Sequence, residues 1–116
     1  MGILVIREKV KPEQLREMLL EFQDDNYVKL AVNIEKGIVA GGGEWHADCE
    51  GVLLETEDFD TPIWGAGWLW ESQEVTFDSL INIRPKLGNR TLELQDPVLR
   101  QQIQELVTEF FAGVKP

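Results

Sequence analysis

The segment Gly41-Gly42-Gly43-Glu44-Trp45-His46-Ala47-Asp48-Cys49-Glu50 holds the densest set of groups able to do chemistry in this chain. Its glycine run leaves the backbone free to adopt positive φ and lets another group approach closely. After it, Glu44, His46, Asp48 and Glu50 alternate with Trp45, Ala47 and Cys49. On an extended backbone all four ionisable side chains project from one face, with neighbours about 7 Å apart along the strand. An imidazole and carboxylates at that spacing suit a shared divalent metal, with Glu44, His46 and Asp48 as ligands. They equally suit a general base paired with a general acid, which makes the same three residues the catalytic candidates. The plainer alternative is an amphipathic strand with a polar outer face. A phosphate loop is excluded, because the P-loop spacing and its lysine are absent. His46 is the only histidine, so any histidine-dependent step must use it. Cys49 falls on the opposite alternation, toward the core, which argues against a Cys-His nucleophile pair.

A second candidate is Ile81-Asn82-Ile83-Arg84-Pro85 followed by Gly88-Asn89-Arg90. Arginines and amides together can hold an anionic ligand, so Glu50, Asn82, Arg84 and Arg90 are the ligand-binding candidates. The simpler role for the arginines is pairing with Glu44, Asp48 or Glu50 across the sheet. The third candidate is Ile63-Trp64-Gly65-Ala66-Gly67-Trp68-Leu69-Trp70. There Trp64, Trp68 and Trp70 share a face and Gly65 and Gly67 leave the other nearly bare. This predicts a large core or dimer contact, ahead of an aromatic platform for a sugar or base.

Several local patterns define the elements that must position these groups. Residues 3–7 read as a short aliphatic strand. Pro12 and Glu13 open a helix whose apolar stripe is Leu15, Met18, Leu19 and Phe22, ended by Gln23-Asp24-Asp25-Asn26. Val28, Leu30, Val32 and Ile34 then alternate with Lys29, Ala31, Asn33 and Glu35, and Glu35-Lys36-Gly37 turns the chain into Ile38-Val39-Ala40 as a hairpin. Residues 48–55 and 63–70 read as strands, with an acidic loop from Glu57 to Pro62 between them. Alternation over residues 75–83 predicts a half-buried strand closed by Pro85, and Thr91 to Leu94 a short edge strand. Asp96-Pro97 caps a final helix with the stripe Leu99, Ile103, Leu106, Val107 and Phe110, and Gly113 stops it. The expected fold is one α+β domain over residues 1–116. Its sheet is largely antiparallel, of four to six strands, with the N-terminal and C-terminal helices packed on one face. The second apolar face predicts burial against a second copy, hence a homo-oligomer.

Composition bounds the function. The 116 residues include 21 acidic and 11 basic side chains, a net charge of −10. Such a surface repels phosphate backbones, which argues against nucleic-acid binding through a basic face. It suits a basic protein partner, a metal cation or solubility alone. No apolar run is long enough for a membrane span, and the first residues carry neither a secretory signal nor the myristoylation context at Gly2. With Cys49 the single cysteine, no internal disulfide forms, and the expected location is cytoplasmic.

Leu30-Ala31-Val32-Asn33-Ile34-Glu35, the run from Ile38 through Glu50, Ser79-Leu80-Ile81-Asn82-Ile83-Arg84-Pro85 and Asn89-Arg90 together resemble a small prokaryotic domain-of-unknown-function family. Its members occur in cyanobacteria, other bacteria and archaea. The resemblance covers essentially the whole chain and implies one compact intracellular domain; it brings no substrate, cofactor or catalytic residue. Three functional classes follow from the residues. The first is a homodimeric interaction or regulatory module with a protein partner. The second is a metal- or anion-binding protein or small enzyme built on Glu44, His46, Asp48 and Glu50 with Arg84 and Arg90. The third, from charge and size, is the acidic member of a toxin–antitoxin pair.

Overall fold

A computed structural model describes residues 3–20, 26–56 and 61–116. Phe22, Gln23-Asp24-Asp25 and the acidic residues 57–60 lie outside that set. In chain order the elements are β1 (Leu4–Ile6), α1 (Pro12–Leu20), β2 (Tyr27–Asn33), β3 (Ile38–Gly41), α2 (His46–Thr56), β4 (Trp64–Leu69), β5 (Glu74–Thr76), short 3₁₀ turns at Leu80–Asn82 and Pro85–Leu87, and α3 (Pro97–Phe111). The strands form one antiparallel sheet in the order β1-β3-β2-β4-β5. This is the expected α+β arrangement.

Alternation along β2 sets the two faces. Val28, Leu30 and Val32 join Val39, Trp64, Ala66 and Trp68 on one side, where Leu15 and Met18 of α1 and Ile103, Val107, Phe110 and Phe111 of α3 cover them. The helix ends have local causes. Pro12 opens α1 and the Lys11 amide donates to Gln14 Oε1 at 2.9 Å, half of a capping box. Asp96 Oδ1 accepts from the Val98 amide at 2.9 Å at the start of α3, and Gly113 beyond its end takes φ of 79°. Trp68 packs on Phe111 with ring centroids 5.8 Å apart.

The other face departs from expectation. Residues 48–55 are helical, and α2 seats Cys49 and Leu53 against Ala31, Ile38, Ala40 and Ile63. The small side chains Ala31 and Ala40 let the helix approach the sheet. This removes the reason for expecting a second copy, because the chain's own α2 covers the face that needed burial. Trp64 and Trp68, proposed as interface residues, are 4% and 1% exposed within the first core, and Trp70 packs half-buried against it.

The strand expected over residues 75–83 is also cut short. The β4–β5 ladder ends at Gly67↔Thr76. Ser79 then caps the 80–82 turn, its Oγ accepting from the Ile81 amide at 3.2 Å. The expected edge strand at 91–94 is reduced to a single bridge between Glu93 and Asp78.

Candidate functional site

The 44–50 segment is not an extended strand, so its ionisable side chains do not share a face. Glu44 and Trp45 precede α2, and His46 is its first residue. Glu44 and Asp48 are exposed, while His46 and Glu50 are half-buried. Among the described residues no group of three or more His, Cys, Asp or Glu side chains could hold a metal ion. Glu44, His46 and Asp48 are therefore not brought together as ligands. In a helix, residues 46, 49, 50 and 53 lie on one stripe, and these face the protein interior.

Each member of that stripe has a partner from a distant element. His46 Nε2 lies 2.9 Å from the Ala66 carbonyl oxygen. A carbonyl only accepts, so Nε2 carries the proton and Nδ1 is left as an acceptor. Burial lowers the imidazole pKa; the Ala66 hydrogen bond opposes that, Lys29 adds to it and Asp78 opposes it. The ring is neutral at pH 7. Cys49 Sγ contacts the Lys29 carbonyl at 3.6 Å, and burial pushes the thiol up to about 11. It is a core residue and no nucleophile. Glu50 Oε2 meets Arg84 Nη2 at 2.5 Å.

The anion-binding constellation is likewise not assembled. Arg84 is committed: beyond Glu50, its Nε donates to the Ile81 carbonyl at 2.8 Å, and its guanidinium lies 5.8 Å from the Trp64 ring centroid. The simpler pairing expected for this arginine holds, though with a helix instead of across the sheet. Asn82 is fully buried and its carboxamide is spent on backbone, accepting from Gly65 N at 2.7 Å and donating to Gly65 O and Phe77 O at 3.0 Å. Asn89 is buried too, donating to Asn82 O and accepting from Gln95 N. Arg90 is exposed on the following loop. Asn82 and Asn89 organise the segment between β5 and α3, and neither is available to a ligand.

The structure instead forms a groove of about 420 Å³ between the start of α2 and the segment 78–81. Trp45, His46 and Ala47 make one wall, Asp78 to Ile81 with Leu92 the other, and Lys29 lies between them. Trp45 is 60% exposed, Leu80 74% and Leu92 48%. The Lys29 ammonium donates to the Glu44 carbonyl at 2.6 Å and sits 5.2 Å from the Trp45 ring centroid. That contact steadies the indole in an outward position. The Arg84–Glu50 pair joins the two walls, one helical turn beyond His46. Of these lining residues only His46 stood out in the sequence. Alternation puts Leu80 on the polar side of its expected strand, where it is indeed exposed, but puts Trp45 on the Cys49 side, toward the core, and its position before α2 leaves it outside instead.

A family profile matches residues 4–110, from the first residue of β1 to Phe110 in the last turn of α3. The chain belongs to the DUF5674 family. The family's description is "protein of unknown function". The match takes in α2, Asn82, Asn89 and every residue lining the groove, so the groove lies wholly within the DUF5674 region. No curated protein and no solved structure matches the chain. No helix among the described residues is long and apolar enough to cross a membrane.

Proposed function

We propose that this DUF5674 protein is an interaction module that takes an apolar segment of a protein partner into the groove between α2 and the 78–81 segment. The observation that carries this reading is the convergence of Trp45, Leu80 and Leu92, all large, apolar and exposed, on one concavity. Single exposed apolar residues are ordinary; several lining one groove mark a surface that another molecule covers. Tryptophan is also the residue type that most often dominates binding energy at such sites. The groove is apolar along most of its lining, with His46 neutral in its wall. Glu50 and Arg84 satisfy each other, and no group of three metal-ligating side chains forms among the described residues, which leaves the composite metal or anion site without support. A cytoplasmic setting suits the single cysteine, which is buried and unpaired.

The test is selection from a displayed peptide library on the wild-type protein, with counter-selection on Leu80→Asp. Leu80 is mostly exposed, so the variant should keep the wild-type unfolding midpoint. Peptides that share apolar anchors and bind wild type but not the variant support the reading. A selection yielding only peptides that bind both proteins equally would sink it.

A further inference from the structure

We infer that the Nδ1 lone pair of His46 accepts a hydrogen bond from an N–H of the docked segment, and that docking is lost when this nitrogen is protonated, an inference that rests on the docking reading above. The groove's lining holds two charged side chains of opposite sign, Lys29 and Asp78, so charge alone selects no partner. His46 lies in the same lining, and its two nitrogens have different roles. Nε2 is fixed as a donor by the Ala66 carbonyl at 2.9 Å, which makes Nδ1 the acceptor. Nδ1 takes no hydrogen bond from the described residues, and the only buried side-chain nitrogen or oxygen left without a partner among them is Trp68 Nε1. Nδ1 is therefore open to solvent, on a half-buried ring that forms part of the groove wall.

An apolar segment laid over Trp45, Leu80 and Leu92 removes water from this wall. An acceptor that loses its water and gains no donor weakens binding, by about tenfold for one unsatisfied group. A main-chain or indole N–H placed beside the apolar anchors meets that demand, whereas a carboxylate placed there sets acceptor against acceptor. The same nitrogen makes docking depend on pH. The groups facing the ring are Lys29 from β2, Asp78 from the segment before the 80–82 turn and the Ala66 carbonyl from β4. Within α2 itself, the Cys49 thiol is neutral and Glu50 is held by Arg84. Burial above all, with Lys29 adding to it, keeps the imidazole pKa below the ordinary 6.5 against the Ala66 hydrogen bond and Asp78. At neutral pH Nδ1 is thus an acceptor; once protonated it is a donor set against the donor of the segment. Affinity is flat near neutral pH and falls in acid, by at most about tenfold per pH unit for one linked proton.

The experiment follows the imidazole nitrogens of the full ¹⁵N- and methyl-labelled chain, where a single histidine makes their assignment unambiguous. Its probes are the displayed peptides that bind wild type and not Leu80→Asp. At about pH 7.5, where the ring is neutral, adding such a peptide should move the Nδ1 resonance upfield, as accepting a hydrogen bond does, while Nε2 keeps its proton. Methylating one main-chain or indole nitrogen of the peptide should abolish that shift and weaken binding about tenfold. Affinity should fall in acid in step with the titration of the Nδ1 signal. Asp78→Asn should retain that dependence, and His46→Gln, which does not titrate, should lose it. A peptide that shifts the Trp45 indole and the Leu80 and Leu92 methyl signals but leaves Nδ1 unmoved overturns the inference and leaves the docking reading standing. An affinity that stays constant through the His46 titration overturns it as well. If no peptide depends on Leu80, or if concentrating the chain alone moves the groove signals and so gives the groove to a second copy, the docking reading itself fails and the inference with it.

Discussion

The side-chain amide of Asn82 makes both hydrogen bonds of a strand partner to Gly65, accepting from its N–H at 2.7 Å and donating to its carbonyl at 3.0 Å. One carboxamide thus replaces a peptide unit where β5 stops. Removing it in Asn82→Ala strands the Gly65 N–H and the Gly65 and Phe77 carbonyls in the interior. Each buried unsatisfied group costs about 1–3 kcal/mol, so a loss of at least about 2 kcal/mol is expected in urea unfolding. Asn82→Asp should not rescue it, because a carboxylate cannot donate to the two carbonyls. An unchanged midpoint in either variant would contradict the bridging role.

Two glycines should respond to the same substitution with opposite signs. A Cβ on Gly65 would collide with Ser79 Cβ and Oγ, pushing the 79–82 turn off β4. Gly65→Ala is expected to destabilise by about 1–3 kcal/mol, the usual cost of overpacking. Gly51 lies within α2, and a Cβ there meets nothing within 4 Å. Gly51→Ala should stabilise by about 0.5–1 kcal/mol through helix propensity. Denaturation midpoints of the two variants measure both; a destabilised Gly51→Ala would speak against the helical assignment of this segment.

His46 makes stability depend on pH. Burial, the largest influence, holds its pKa below the ordinary 6.5, so the unfolded chain takes up a proton at a pH where the folded chain still resists it. The unfolded state then binds more protons, and stability rises with pH through that window. The contribution is fully present above about pH 6.5 and is lost as pH falls below that value toward the folded-state pKa. The urea midpoint should therefore drop between about pH 7.5 and about pH 5.5, above the main carboxylate range. His46→Gln, which can still donate to the Ala66 carbonyl but does not titrate, should flatten the drop. Identical pH profiles for wild type and variant would remove His46 as its cause.

Cys49 should be silent in the native protein. Its side chain is fully buried and its pKa is raised to about 11, so almost no thiolate exists at about pH 8. A disulfide-exchange reagent should label it only after unfolding in urea, at one thiol per chain. Rapid labelling of the folded protein would show that α2 opens readily from the sheet.

The Asn82 and Arg84 segment shows how a sequence pattern can be read with the wrong period. Val75 and Phe77 do pack against the core, as alternation requires. Beyond them the alternation fails only in part: Ser79 stays inward but caps a turn and Leu80 stays outward, while Ile83, expected inside, is 43% exposed. The polar residues expected outside include Asn82, which is fully buried. Period-two patterning assumes the backbone stays extended, and a side-chain amide that mimics a strand ends that condition. Asn33 likewise lies inward at the end of β2, where its side chain accepts from the Lys36 amide and donates to Thr61.

The sequence by itself determined the elements whose signals are local. Alternation in β2, the glycine turn at 37, the proline starts of α1 and α3, the Asp96 cap and the face shared by Trp64 and Trp68 all depend on neighbours within a few residues. Tertiary structure alone decided α2 and, with it, the groove. The inward stripe of that helix is His46, Cys49, Glu50 and Leu53, and two of the four are ionisable, so no amphipathic period shows in the letters. A histidine and a glutamate can turn inward only if something there satisfies them. The Ala66 carbonyl does so for His46, and the Arg84 guanidinium for Glu50. Both partners come from segments separated from α2 in sequence, and they reach it only once the sheet has formed.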